Sequence, residues 1–127
     1  MLQRLDLGYV MRILSAFFVL IASTTPSLAA WQQVTDRTTF SSQVVGNAYV
    51  DSNGNWFRFN ANGTLSGGAN GKDLAGNWQF TRGFACFNRT LGGEALPNDC
   101  IVVLIDGDKL VTVRNEGQGR QTQYTKR

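Results

Sequence analysis

The sequence predicts an all-β domain with one short N-terminal helix, folded as a small antiparallel sandwich or barrel-like sheet with one disulfide. Three observations predict this class. Apolar and polar residues alternate with a period of two along several short segments. Turn residues recur about every 8–12 residues, which is the spacing expected of a small sandwich or barrel. Two cysteines, Cys86 and Cys100, lie among these segments.

The first thirty residues have the composition of a secretory signal peptide rather than of part of the fold. Met11 and Arg12 lead into an apolar run over 13–22, and the segment ends on the small residues Ala29 and Ala30. A charged start, an apolar run of about 7–15 residues and a small-residue exit are typical of such a peptide. A membrane-spanning helix needs about 20 apolar residues. We therefore expect cleavage after Ala29 or Ala30, with Met11 as an alternative start.

This organisation places a signal peptide over residues 1–30 and a single β-rich domain over residues 31–127, in the periplasm or outside the cell. The formal net charge is +3, and it falls to +2 when Arg4, Arg12 and Asp6 leave with the signal peptide. The remaining charges are scattered and form no basic run that would follow a phosphate backbone. We expect no nucleic-acid partner, and no stable membrane span after cleavage.

The helix is predicted over residues 35–45. Thr35 or Asp36 can cap its first turn, and Phe40 and Val44 recur at helical spacing on one face. This apolar face is expected to pack against the sheet or to close one end of it.

Seven or eight short strands are predicted after the helix. They cover 48–50, 56–60, 64–67, 74–81, 84–88, 101–105, 110–114 and 121–125. The segment 101–105 is apolar at every position and is expected to be covered on both faces. Asn62 and Gly63 predict a type I′ hairpin turn. Residues 67–71 and 90–98 are rich in glycine or contain proline, and are predicted to be loops.

Cys86 and Cys100 are the only cysteines in the chain, and we expect them to form a structural disulfide. Their spacing is far wider than the C-x-x-C of redox pairs. A loop of about 15 residues closed in this way is stabilised by about 3 kcal/mol. The bond is expected to tie off the loop predicted over 90–98.

The chain has no histidine, which excludes Ser-His-Asp and Cys-His catalysis and His-dependent zinc sites. Asp51, Asn53 and Asn55 have the spacing that begins a calcium loop. Trp56 and Asn62 then stand where that loop needs glycine and a bidentate glutamate. A polar turn is favoured, while a weak oxygen-ligated site using Asp51 stays open.

The glycines before Lys72 suggest a phosphate loop, but their spacing fails. Ser66 stands where the first glycine belongs, and Asp73 follows the lysine. The chain has no dinucleotide-binding fingerprint either. We therefore predict no catalytic residue, no metal ligand and no cofactor.

Aromatic side chains are numerous for so small a domain, and most are expected to fill the core. Some can instead line a ligand mouth or a protein-binding face. Trp56 with Arg58, and Trp78 with Arg82, are the candidates, because each tryptophan has an arginine nearby in sequence. The partner expected for such a face is an envelope protein or a small apolar or glycan ligand.

Short motifs along the whole mature chain carry a family resemblance. They are Phe40 with VVG over 44–46, NGTLSG over 62–67, LAGNW over 74–78, GFAC over 83–86, NDC over 98–100 and GQG over 117–119. By these motifs the chain resembles a family of small exported proteins of alphaproteobacteria. The motifs are those of hairpins and a disulfide, so the resemblance implies a fold and transfers no catalytic residue.

Some members of that family are labelled dihydrodipicolinate reductase. That label implies a dinucleotide-binding fold, and this chain lacks its glycine fingerprint, its length and its alternation of strands and helices. We reject the label for this chain. The layout of a short helix, antiparallel strands and one disulfide also looks like that of small periplasmic protease or lysozyme inhibitors, which is an analogy of architecture.

The function expected from these observations is an exported, non-catalytic binding or inhibitor-like module. One alternative is a small envelope enzyme that uses paired carboxylates such as Asp106 with Asp108, or Glu94 with Asp99. A cleft with two partly buried carboxylates would favour it. Another alternative is a structural protein of the envelope, which large contacts between copies of the chain would favour.

Overall fold

The structure is a computed structural model and describes residues 30–127. The signal-peptide prediction therefore falls outside the described residues, except for Ala30. Within 30–127, no helix has both the length and the apolar character needed to cross a bilayer.

The described residues form one helix, nine strands and a short 3₁₀ turn. The helix α1 spans Arg37–Gln43 and the 3₁₀ turn spans Asn115–Gly117. The strands are β1 (Gln32–Gln33), β2 (Ala48–Val50), β3 (Trp56–Phe59), β4 (Thr64–Ala69), β5 (Lys72–Thr81), β6 (Phe84–Leu91), β7 (Glu94–Asp106), β8 (Lys109–Val113) and β9 (Gln121–Lys126).

Strands β2 to β9 form an antiparallel barrel in which each strand pairs with the next along the chain. The barrel closes where β9 pairs with β2, with Tyr49 opposite Lys126 and Val50 opposite Thr125. The extra strand β1 pairs with the end of β7, with Gln32 opposite Ile105. These pairings confirm the all-β class with one short helix and select the barrel over the sandwich.

The barrel interior is filled by the apolar side of each alternating strand. On β3, Phe57 and Phe59 point inward and are buried, whereas Trp56 and Arg58 are half-buried on the other face. On β7, Ile101 is buried in the same core. The period of two read from the sequence therefore assigns the inward faces correctly.

The helix α1 closes one end of the barrel. Asp36 caps it by accepting the backbone N–H of Thr39 at 2.7 Å, and this hydrogen bond is the main cause that lowers the pKa of Asp36. Phe40 is fully buried and stacks on Phe80 with ring centroids 4.7 Å apart. Its ring also meets Phe59 edge-on at 5.3 Å. The helix thus closes this end of the barrel with the aromatic ring of Phe40.

The turn predicted at Asn62 and Gly63 is a hairpin turn, but its type was predicted wrongly. Gly63 alone of the pair has a positive φ, at 86°. The N–H of Gly63 donates to the carbonyl of Asn60 at 3.0 Å, and the N–H of Asn60 donates to the carbonyl of Thr64 at 2.8 Å. This is a three-residue loop with a left-handed glycine, since a type I′ turn needs positive φ at both central residues.

The two segments predicted to be loops are strand ends joined by tight turns. Residues 67–69 belong to β4, and the chain reverses at Asn70 and Gly71, both with positive φ. Residues 94–98 belong to β7, which follows a turn at Gly92 and Gly93. Glycine at these positions reflects turn geometry and close strand approach rather than a long loop.

The disulfide joins Cys86 of β6 to Cys100 of β7, which are register partners with Cα atoms 4.0 Å apart. The predicted pairing is confirmed, and the prediction that it ties off a loop is wrong, because both cysteines lie in paired strands. Beyond the disulfide the register shifts by a bulge between Phe87 and Arg89. Pro97 lies in the bulged part of β7, where a missing N–H is tolerated.

Candidate functional site

The barrel end opposite α1 is open and contains a cavity of about 280 Å³, which we call the cup. The β2–β3, β4–β5 and β6–β7 turns lie at this end, and the β8–β9 connection starts and finishes there, because successive strands of the barrel run in opposite directions. The helix and the other set of turns occupy the closed end. The cup is therefore a product of barrel closure, with lining residues from strands β3 to β9 and from the β2–β3 turn.

The floor and walls of the cup are mostly apolar. Phe57, Leu65 and Ile101 are buried at its base. Tyr124 meets Phe57 edge-on with ring centroids 4.9 Å apart, and burial is the main cause that raises the pKa of Tyr124. A neutral phenol at this position leaves the wall uncharged at physiological pH. The remaining apolar lining includes Phe59, Leu74, Phe87, Leu91 and Leu96.

Four charged residues line the cup, and three of them are the arginines Arg89, Arg114 and Arg120. The fourth, Asp51, is its one lining carboxylate among the described residues. The side chain of Asp51 accepts the backbone N–H groups of Asn53 at 2.8 Å and of Asn55 at 3.0 Å. Asp51 therefore holds the β2–β3 turn in shape.

Arg114 is paired with a carboxylate beside the cup. Its Nε donates to Oδ2 of Asp99 at 2.8 Å, and the Asp99 side chain is only 10% exposed. The other oxygen of Asp99 accepts the backbone N–H groups of Cys100 at 2.9 Å and Asn115 at 3.0 Å. Asp99 thus fixes Arg114 and the 3₁₀ turn.

Arg89 has a different environment. Its Nε is buried and has no hydrogen-bond partner among the described residues, the one such side-chain atom in residues 30–127. The guanidinium carbon lies 5.3 Å from the ring centroid of Phe87. Desolvation, followed by the charge of Arg114, lowers the pKa of Arg89. An arginine stays protonated at neutral pH, so its charge is held beside the cup without an ion-pair partner in the described chain.

The four residues predicted as a ligand or partner face lie in three surroundings. Trp56 lies on the outer face of β3 at the edge of the cup, and the guanidinium carbons of Arg58 and Arg127 lie 5.9 Å and 5.5 Å from its ring centroid. Trp78 packs against the core and donates its indole N–H to the carbonyl of Asn60 at 2.9 Å. Arg82 lies in the β5–β6 turn at the closed end. Trp56 and Arg58 are therefore close to each other, whereas Trp78 and Arg82 lie in other parts of the domain.

The carboxylates considered for an enzyme are also dispersed. Asp106 and Asp108 flank the β7–β8 turn, and Asp108 lies 3.9 Å from Lys126. Glu94 is exposed at the start of β7, and Asp99 is bound to Arg114. None of these four lines the cup.

A second depression of about 630 Å³ lies beside the disulfide, outside the barrel. It is wider and more open, and polar side chains such as Asn77, Asn88 and Asn98 line it. Its lining includes Asp99, whose oxygens already accept hydrogen bonds. The cup is the stronger candidate because it combines apolar walls with a buried donor that lacks a partner.

Arg89 was missed by the sequence reading although a signal was present. It alternates in phase with Phe87 and Leu91 on β6, so a charged residue occupies an inward position of an apolar strand face. A buried charge in such a phase is a binding-site signal. The predicted strand ends at residue 88, before the loop predicted over 90–98, so Arg89 falls outside it.

Comparison with known proteins finds no match to this chain among family models, curated proteins or solved structures.

Proposed function

We propose that this protein is an exported, non-catalytic binding module that takes a small, largely apolar ligand into the cup. The observation that carries the proposal is the open cavity at one barrel end, with apolar walls and a charged rim. Ligand pockets are typically about 300–1,000 Å³ and are mostly apolar with a few placed polar groups. The volume of the cup, about 280 Å³, suits a small molecule or a single hydrocarbon chain.

Export is supported by the N-terminal segment and by the disulfide. The segment has the three parts of a signal peptide. Cys86 and Cys100 are paired in the structure, and such bonds persist in oxidising compartments. The resemblance to small exported alphaproteobacterial proteins agrees with the same location.

Binding rather than catalysis is supported by the polar groups around the cup. Asp51 is engaged by two backbone N–H groups of its own turn. The pKa of Tyr124 is raised, which makes it a poor general base near neutrality. The apolar floor supplies contact area for a ligand.

Processing of the N-terminal segment is the first expected result. The full chain, expressed in a Gram-negative bacterium, should be recovered from the periplasm with Ala30 or Trp31 as its first residue. Intact-mass measurement of the purified protein reads the new terminus. A matched variant with Ala29→Arg and Ala30→Arg removes the small-residue exit and should keep the longer mass. An unprocessed wild-type chain in the cytoplasm would contradict export.

Binding of an uncharged apolar probe is the second expected result. N-phenyl-1-naphthylamine should bind the processed protein with an increase in fluorescence. Thr122 lines the cup and Gln123, its neighbour on β9, is exposed on the outer face. Thr122→Trp fills the cavity and should weaken binding about tenfold or more, since shape complementarity in a packed site is lost. Gln123→Trp adds the same ring outside the barrel and should bind like wild type. No binding to wild type, or equal binding to all three proteins, would refute the cup as a ligand site.

A further inference from the structure

We propose that the ligand of the cup is an amphiphile with one anionic head group, and that Arg89 binds this head. This inference rests on the proposed function and adds the chemical class of the ligand. It follows from the hydrogen-bonding state of Arg89, from the charges around it, and from its position on the barrel wall.

Arg89 has a donor group that lacks an acceptor within residues 30–127. The Nε of Arg89 is buried and has no partner in the described chain. A buried donor left without an acceptor is costly, and native structures satisfy nearly all such groups with protein, water or ligand. A guanidinium offers its donors in a planar fork that matches a carboxylate or phosphate. An anionic oxygen above the cup floor would complete this geometry.

The charged side chains that line the cup do not balance one another. Arg114 is already paired with Asp99, whose oxygens also accept two backbone N–H groups. Asp51 is held by its own turn. Arg89 and Arg120 have no ion pair within residues 30–127. The three arginines of the cup, set against Asp51 and Asp99, leave one positive charge uncompensated, and charge-assisted hydrogen bonds are stronger in such a partly desolvated site than in water.

The guanidinium of Arg89 lies on the inner wall of the barrel, beside Phe87. Arg89 follows Phe87 on the inward face of β6, and its guanidinium lies over that ring at 5.3 Å. It pairs in register with Leu96, just past the bulge of β7. The head group is thus held on the wall, between the aromatic floor and the open rim. An apolar body attached to it would rest on Phe57 and Phe87.

The test compares ligands that share one tail and differ in the head. Decanoate and decyl phosphate carry the anion, decanol is neutral, and decyltrimethylammonium is cationic. Each is titrated as a competitor of N-phenyl-1-naphthylamine on the processed protein, below its micelle concentration. In wild type, we expect one or both anions to bind about tenfold or more tightly than decanol, and the cation to bind least. Decanoate against decyl phosphate distinguishes a carboxylate source from a phosphate source.

Variants assign the head-group contact to Arg89. Arg89→Gln should remove most of the preference of wild type for anions over decanol, while Arg89→Lys should restore part of that preference. Arg82→Gln removes an arginine that does not line the cup, is 65% exposed and forms an exposed ion pair of 3.8 Å with Glu116, and it should behave like wild type. Should Arg89→Gln fail to fold, Arg89→Lys and the wild-type ligand series still decide.

The outcomes separate the two proposals. If decanol competes as well as both anions, the anionic ligand class is overturned and the cup remains a binding site. If wild type prefers anions and Arg89→Gln keeps that preference, the assignment of the head group to Arg89 is overturned. If neither the probe nor any amphiphile binds, both the cup and its ligand class are overturned.

Discussion

Phe40→Ala is expected to lower the free energy of unfolding by about 3–5 kcal/mol, the range found when a buried phenylalanine is truncated. Phe40 is fully buried where α1 closes the barrel. Its ring lies 4.7 Å from that of Phe80 and 5.3 Å from those of Phe59 and Trp78. Truncation therefore leaves a cavity between aromatic rings that the rigid barrel wall cannot fill. Urea denaturation followed by circular dichroism measures the change.

Phe84→Ala is the matched control for Phe40→Ala. Phe84 is half-buried, out of phase with the buried Ala85 on β6, and lies beneath the guanidinium of Arg82 at 5.7 Å. The same truncation there should cost clearly less than at Phe40. Equal losses for the two variants would mean that α1 does not seal the barrel as described.

Loss of the disulfide is expected to destabilise the protein by about 3 kcal/mol, from the freedom regained by the unfolded chain. The two cysteines are separated by 14 positions and join neighbouring strands. The variant with Cys86→Ala and Cys100→Ala should therefore unfold at lower urea concentration than wild type while keeping the β-sheet spectrum. Thermal melting gives the same order.

A reductant supplies the control for the disulfide. It should lower the melting temperature of wild type towards that of the double alanine variant, and should leave the variant unchanged. A wild-type protein that melts at the same temperature with and without reductant would contradict a stabilising bond between Cys86 and Cys100.

Strand pattern and helix capping were predictable because both depend on neighbours in sequence. Phe57 and Phe59 alternate with Trp56 and Arg58, and this alternation alone assigns the inward face of β3. Asp36 caps α1 as expected for an aspartate before an apolar helical face. The two-residue strand β1 was not predicted, because its two exposed glutamines show no alternation of apolar and polar side chains.

Glycine-rich segments were wrongly predicted to be loops, because contacts with residues distant in sequence require glycine at these positions. A side chain on Gly67 would collide with the backbone oxygen of Trp56, and one on Gly76 with that of Asn88. These glycines let neighbouring strands approach, and nothing adjacent in sequence distinguishes that role from a flexible loop. The turn at Asn62 and Gly63 is similar, since its type depends on the φ of each residue rather than on the residue pair.

The candidate site was the least predictable part. Trp78 was grouped with Arg82 because they are close in sequence, but Trp78 is partly buried and packs against the core. The cup joins Asp51, Arg89 and Arg114, which are far apart in the chain and meet only when the barrel closes. Barrel closure depends on which strands pair, and a single sequence contains no direct record of that pairing.

The closure between β2 and β9 joins the first and the last strand of the barrel. The last strand provides Thr122 and Tyr124 to the cup, and the N–H of Arg127 donates to the carbonyl of Ala48 at 2.9 Å. Until β9 pairs with β2, the sheet keeps two unpaired edges and encloses nothing. The cup therefore exists only after the two barrel strands that lie farthest apart along the domain have paired, which makes its formation a long-range step of folding.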